Sequence, residues 1–270
     1  MAVNLTRADF EGTLWPPELM EMALNAIVGG APFSASLTRR GTSSSKVAFP
    51  LVDPDGADWV AEGAALPDVT LNDDAYLVAM HKIAGVLDVS NESLSDTAYD
   101  VDGAVSQALV DAFSHQMDTG LLSGTGDANH QPTGVFTVAD EVTEATTLLT
   151  SAAAAMGEIG DAGGTPDTIA VSYTTAATVA SEIASGSGAL MYPNGFGAAV
   201  GLNVVRVPGL AQPLVYDSSR VFFVVREDFS VEQSAHAAWR TDAVSLRVKG
   251  RFAVAVPTPA KTIRALPAAA

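Results

Sequence analysis

The stretch between residues 40 and 80 limits the possible folds of this chain more than any other, because it predicts two strands that form no core of their own. Val47 to Val52 is a short strand with a proline inside it, which is typical of a sheet edge. Asp53-Pro54-Asp55-Gly56 predicts a turn, and a second strand-like run extends from Tyr76 to Val89. An isolated two-stranded ribbon is only marginally stable in water. We therefore expect the ribbon to need outside support, and a neighbouring subunit is the natural candidate.

Residues 97–122 carry the clearest helical pattern, since apolar residues recur at three- and four-residue steps from Val101 to Leu121. At 1.5 Å per residue this helix would be about 36 Å long, which suggests a structural spine. A second, alanine-rich helix is predicted over residues 141–156. Strands are predicted at Ile169–Ser172, Asn203–Val207, Val221–Val225, Phe229–Gln233, Ala243–Lys249 and Arg251–Val256, with a last short strand within Lys261–Leu266. Because these elements show no regular βαβ alternation, the predicted fold class is α+β.

The chain is acidic, and its charge is unevenly distributed. Its 270 residues contain 14 Lys and Arg against 31 Asp and Glu, which gives a formal net charge of −17. This balance argues against long-range attraction to nucleic acid or to anionic lipid. No Lys or Arg occurs between Lys82 and Arg206, whereas nine of the 14 are found from Arg206 onward. Copies of such a chain can attract each other, acidic face to basic face, although ordinary solvated surface would give the same distribution.

The sequence offers little for catalysis or cofactor binding. There is no cysteine, which excludes a disulfide framework, a thiolate metal site and a cysteine nucleophile. The four histidines lack metal-ligand spacing, and the glycine-rich stretches lack the strand–loop–helix context of a phosphate site. No apolar run is long enough to span a bilayer, and the N-terminus lacks the pattern of a signal peptide. We therefore predict no enzyme activity, no cofactor, no metal site and no membrane partner.

Five stretches carry motifs whose order is informative. Residues 59–67 read W-x-x-E-x-x-x-x-P, and residues 82–96 read K-x-x-x-x-x-x-x-S-x-E-x-L-x-D just before the helical pattern. After the helix come G-x-G at 124–126 and Q-P-x-G at 131–134, and residues 247–257 form a closing strand. Together these stretches resemble the major capsid proteins of tailed bacteriophages with the Hong Kong 97-like fold. The resemblance covers residues 40 to 265.

The resemblance implies a division of the chain into five parts. These are an N-terminal arm (1–34), an extended loop with its base strands (35–94), a peripheral domain with the spine helix (95–156), an axial domain (157–228) and the closing strands of the peripheral domain (229–270). It also implies assembly as hexamers and pentamers into an icosahedral shell around double-stranded DNA. The spine pattern begins within about a hundred residues of Met1, which leaves no room for a fused scaffolding segment. Either a separate scaffold acts, or none does.

The partners and location follow from the same resemblance. The chain would pair with copies of itself, with a portal protein, with a separate scaffolding protein and with a decoration protein, and it would approach packaged DNA only by non-specific proximity. It would be assembled in the host bacterial cytoplasm and would reside in the virion. Lys46 is the only lysine near the extended loop and lies at its base, so a Lys–Asn crosslink between subunits is not expected.

The residues that we predict to contact neighbouring subunits are Trp59, Glu62, Arg39, Arg40, Lys46, Arg247 and Arg251. Three other functions remain open. An encapsulin-type nanocompartment protein would share the fold and enclose a cargo enzyme, and a tail-tube protein would be another structural component of a virion. A hydrolase would use Ser123, His130 and Asp127, although proximity in sequence does not establish the geometry of a triad.

Overall fold

The computed structural model describes residues 31–55, 59–62, 70–90, 101–142, 147–182, 191–192, 194–234, 236–237 and 241–267. The predicted arm lies outside these residues except for its last four positions. None of the described helices is long and apolar enough to cross a membrane.

Helices and strands alternate irregularly along the described residues. The helices are α1 Pro32–Ala35, α2 Val101–Ser123, α3 Val135–Val138, α4 Leu148–Asp161, α5 Tyr173–Ser181, α6 Phe196–Val200 and α7 Pro259–Thr262. The strands are β1 Thr38–Gly41, β2 Lys46–Asp55, β3 Thr70–Ala79, β4 His81–Ser90, β5 Asp140–Glu141, β6 Thr168–Val171, β7 Asn203–Arg206, β8 Leu214–Tyr216, β9 Phe222–Ser234, β10 Ala243–Ala255 and β11 Ile263–Ala265. The predicted α+β class is confirmed.

The described strands form three sheets. A four-stranded sheet has the order β1-β9-β10-β4, and a five-stranded sheet has the order β5-β11-β8-β6-β7. The third sheet consists of β2 and β3 alone, which pair antiparallel over their whole length from Lys46↔Ala79 to Asp55↔Thr70. This pair corresponds to the two-stranded excursion that the sequence predicts, and we refer to it as the ribbon. The prediction of one strand-like run from Tyr76 to Val89 is wrong, because the run is divided between the end of β3 and most of β4.

The predicted spine helix is confirmed as α2, which has 23 residues and is therefore about 35 Å long. The first residues of the predicted helix, 97–100, lie outside the described residues. Val110, Met117 and Leu121 are buried in a core that they share with the four-stranded sheet. The helix covers one face of that sheet and leaves the opposite face, called the outer face below, to the ribbon and to solvent.

Four predicted strands are in fact two long ones. Phe222–Ser234 spans both strands predicted at its ends, and Ala243–Ala255 does the same for the next pair. The two long strands pair antiparallel, and their register shifts between Lys249 and Phe252. Two features suggested breaks, namely the polar residues from Arg226 to Asp228 and Gly250. Both lie where the register of the continuous pairing shifts. A bulge of this kind accommodates an extra residue without ending a strand.

Two further predictions needed correction. The turn predicted at Asp53-Pro54-Asp55-Gly56 is wrong, since β2 continues to Asp55 and pairs there with Thr70. Proline is compatible with such an edge position because it lacks only the amide proton. The helix predicted over 141–156 begins later, at Leu148, and runs to Asp161. The Thr147 side chain caps it by accepting from the amide of Thr150, a local signal that decides where the helix starts.

A second core lies between α4 and the five-stranded sheet. Ala155 and Ile159 of the helix are fully buried with Ile169 of β6 and Val215 of β8. Arg264 of β11 lies beside this core with its side chain only 11% exposed, and its Nε donates to Glu158 of α4 at 2.8 Å. This hydrogen bond connects α4 to β11 of the five-stranded sheet.

Candidate functional site

The base of the ribbon is anchored on the outer face of the four-stranded sheet. Val47 faces Val78 and Phe49 faces Tyr76 across the ribbon, so these four side chains share one of its faces. Phe49 stacks on Phe222 of β9 with ring centroids 5.2 Å apart. Val78 is buried in the same small cluster as Val224, Ala253 and Ala255 of the sheet. The base of the ribbon thus packs on its own subunit, whereas the sequence suggested a neighbouring subunit as the natural candidate for its support.

Two polar contacts support this anchor. A hydrogen bond joins Tyr76 to the backbone of Val256, and burial raises the pKa of the Tyr76 hydroxyl. The guanidinium of Arg40 lies over the ring of Phe222, 5.1 Å from its centroid. Arg40, which the sequence suggests as a contact to other subunits, therefore packs within its own subunit in this structure.

The opposite face of the ribbon is exposed and apolar. Leu77 is 68% exposed, and Ala48, Pro50 and Ala75 on the same face are also exposed. Trp59 lies in the segment between the two ribbon strands and its side chain is completely exposed. Glu62, also exposed, lies in the same segment. A contiguous patch of exposed apolar side chains often marks a site where another protein binds.

The part of the outer face that the ribbon leaves uncovered is charged. Arg247 and Lys249 of β10 both pair with Glu232 of β9, and Arg251 lies 3.3 Å from Glu227. Hydrogen bonds from Lys249 and Arg247 lower the pKa of Glu232 to about 2. We refer to Arg247, Lys249 and Arg251 as the cationic row. Sequence reasoning found its two arginines and missed Lys249, although alternation along a strand puts all three on one face.

The remaining predicted contact residues lie elsewhere. Arg39 pairs with Asp228 at 2.5 Å. Lys46 lies at the base of the ribbon, where it lines a cavity of about 240 Å³ together with His81 and Asp127. The structure therefore brings Arg247 and Arg251 together on the outer face. Trp59 and Glu62 lie in the segment between the two ribbon strands, and Arg39 and Arg40 have local partners.

The residues of the hydrolase alternative do not form a relay. Ser123 donates to the carbonyl of Thr119 at 2.9 Å, within its own helix. The carboxylate of Asp127 lies 3.2 Å from the ring of His81, not beside that of His130. Within the described ranges, no three His, Asp or Glu side chains lie close enough to hold a metal ion.

The glycine motif after the spine helix has a steric explanation. The amide of Gly134 donates to the carbonyl of Gly124 at 2.8 Å, so the two backbones run in direct contact. A Cβ atom on Gly134 would lie 2.5 Å from the nitrogen of Gly124. Only glycine fits such a distance. The motif that carries part of the resemblance therefore closes the loop at the end of α2.

The comparisons with known proteins agree on one family. A family model described as "Phage capsid family" matches residues 11–263. No curated protein matches the chain. A structure from Mycobacterium phage Adephagia has a TM-score of 0.72 at 18% identity, covering 87% of this chain and 89% of that one. A structure titled "Capsid of native GTA particle computed with C5 symmetry" has a TM-score of 0.67 at 18% identity, covering 91% and 90%.

These structural likenesses establish the fold, and the family match extends over nearly the whole chain. The chain belongs to the phage capsid family and is a major capsid protein, a structural protein with the Hong Kong 97-like fold.

Proposed function

We propose that this protein assembles as hexamers and pentamers into an icosahedral shell that encloses double-stranded phage DNA. The observation that carries the proposal is the ribbon, which packs its base on its own subunit and presents Leu77 and Trp59 to solvent. Burying these apolar side chains against neighbouring copies would contribute about 25 cal/mol for each Å² removed from water. A closed shell repeats this contact around every capsomer.

The proposed division of labour follows the sheets. The proposed peripheral domain (95–156 with 229–270) contains α2 and β10, and residues 157–228 form the proposed axial domain. The four-stranded sheet is shared between segments, since it takes β1 and β4 from residues 35–94 and the first part of β9 from residues 157–228. The five-stranded sheet takes β6, β7 and β8 from the axial segment and its strands β5 and β11 from the flanking segments. The extended loop of residues 35–94 contains the ribbon, and residues 1–34 form the arm.

The cationic row is the proposed electrostatic contact of this assembly. It lies on the outer face of a chain whose net charge is −17, and its proposed partner is acidic surface of a neighbouring copy. Each exposed ion pair contributes only about 0–1 kcal/mol. Because the pairs repeat around the shell, together they would set the register and orientation of neighbouring subunits. Arg39, Arg40, Lys46 and Glu62 remain proposed contacts of the same kind.

Negative-stain electron microscopy of the expressed full chain tests the proposal. Closed shells of uniform diameter are the expected result, and a protein that stays monomeric at all concentrations would contradict it. The contents distinguish a phage head from a nanocompartment: DNA in tailed particles supports the former, and a cargo enzyme in empty shells supports the latter. Co-expression with a portal, scaffolding or decoration protein tests those partners. The proposed role is structural and requires no catalytic activity. We propose that the protein is assembled in the host cytoplasm and resides in the virion.

A further inference from the structure

The fourth strand of the peripheral sheet has an open edge. Among the described residues, β4 pairs on one side only, with β10, in an unbroken register from Ala243↔Ser90 to Phe252↔His81. The strand is 10 residues long and contains no proline. Natural proteins shorten, bulge or cover edge strands because the unpaired amides and carbonyls attract another strand. A regular edge of this length is a template for pairing.

The side chains of β4 on the outer face are suited to a partner. Lys82, Ala84, Val86 and Asp88 alternate along that face, and all four are exposed. Val86 is 68% exposed, which is unusual for a valine in the middle of a strand. The alternate residues, including Ile83 and Leu87, pack against the core beneath α2.

We propose that β4 pairs antiparallel with β4 of a second copy, about a two-fold axis through Gly85. Because side chains alternate between faces, the axis must pass through a residue and not between two residues. With Gly85 at the centre, Lys82 lies opposite Asp88 of the second copy, and Ala84 lies opposite Val86. Both pairs occur twice, since the contact is symmetric.

The neighbouring registers lack this complementarity. Centring on Val86 puts Lys82 opposite Ser90 and Ala84 opposite Asp88, whereas centring on Ala84 puts Lys82 opposite Val86. Opposite charges directly across a strand pair contribute about 0.2–1 kcal/mol each, so the charges favour Gly85. A Cβ atom on Gly85 would lie 2.9 Å from the ring of Phe113, which shows that this ring already covers the glycine on the inner face. The contact would join two four-stranded sheets into one of eight strands.

Engineered cysteines test the register, because the natural chain contains none. Full-length chains carrying Ala84→Cys and Val86→Cys are co-expressed, isolated as the oligomer or shell that they form, oxidised and separated on a denaturing gel. We expect covalent dimers from the co-expressed pair and from the double variant, at several-fold higher yield than from either single variant alone. The single variant Ala177→Cys, exposed on α5, is the control for random collision.

Each outcome decides the proposal. Equal cross-linking of Val86→Cys with itself would move the axis to residue 86 and overturn the register, and no cross-link above the Ala177→Cys control would overturn the pairing. A charge exchange gives a second readout: Lys82→Asp should weaken the dimer contact, and adding Asp88→Lys should restore it. The inference deepens the proposed shell but fails separately from it, because shells seen by microscopy without the cross-link would refute only the strand pairing.

Discussion

Phe49 of the ribbon lies nearly parallel to Phe222 of the four-stranded sheet, with an angle of 16° between the ring planes. Phe49→Ala should therefore loosen the ribbon at its base. We expect the free energy of unfolding to fall by about 1–2 kcal/mol, less than the roughly 3–5 kcal/mol of a fully buried phenylalanine, because Phe49 is half-buried. Hydrogen exchange should accelerate in residues 46–49 and 76–79. Leu77→Ala, on the exposed face of the ribbon, is the control and should change neither measurement.

Trp59 should matter for assembly and not for subunit folding, because its side chain is completely exposed. Trp59→Ala is expected to reduce the yield of closed particles, measured by sedimentation and microscopy, while the melting temperature of unassembled subunits stays the same. Trp59→Phe should restore part of the yield, since it keeps an aromatic surface. Normal assembly of a subunit that melts much earlier would show that the residue acts within its own chain.

Asp118 of the spine helix is buried and fixes α1, since its two carboxylate oxygens accept the amides of Phe33 at 2.9 Å and Ser34 at 3.0 Å. Asp118→Ala would leave both amides without their acceptor. We expect a loss of about 1–3 kcal/mol in the free energy of unfolding, measured by chemical denaturation. Asp118→Asn, with one carbonyl oxygen, should lose less. A wild-type free energy of unfolding for both variants would show that these two hydrogen bonds do not stabilise the fold.

The same carboxyl predicts a dependence on pH. Burial raises the pKa of Asp118 above its ordinary value of 3.8. A raised folded-state pKa contributes stability that is complete below the unfolded value and declines as the pH rises through the folded one. The stability advantage of the wild type over Asp118→Asn should therefore be larger near pH 4 than at pH 7. An advantage that grows with pH would have the wrong sign.

Glu158 and Arg264 should respond unequally to mutation. The Arg264 side chain is 11% exposed and that of Glu158 is 45% exposed. Glu158→Ala removes the close partner of a buried cation and should lower the free energy of unfolding by about 2–3 kcal/mol. Arg264→Met keeps an apolar stem and leaves a carboxylate that water can hydrate, so its effect should be smaller. Equal effects in thermal or urea unfolding would contradict this asymmetry.

The lowered pKa of Glu232 predicts that the protein loses stability in acid. Lys249 and Arg247 hold the pKa of Glu232 at about 2, below its ordinary value of 4.5. A lowered folded-state pKa contributes stability that is present above the unfolded value and lost as the pH falls toward the folded one. The difference in stability between wild type and Glu232→Gln should thus shrink between pH 5 and pH 2. Added salt should shrink it too, because the pairs are exposed.

Local patterns predict the parts of this protein that depend on near neighbours in the chain. The periodicity of α2, the two strands of the ribbon and the glycine motif after the helix all follow from residues that are close in sequence. The length of β9 does not, because the polar residues from Arg226 to Asp228 look like a turn until pairing with β10 holds them extended. The anchor of Phe49 on Phe222 is also beyond local patterns, since 173 positions, the difference of the two residue numbers, separate the two rings.

Periodicity, composition and motif order are properties of the chain alone, and they were sufficient for the α+β class, the spine helix, the uneven charge and the family. Three features required the folded molecule: the anchor of the ribbon on its own subunit, the acidic partners of the arginines in the cationic row, and the open edge that β4 leaves on its sheet. Each of these depends on which distant strand becomes a neighbour. Strand pairing and burial are set by contacts between remote residues, and no local pattern encodes them.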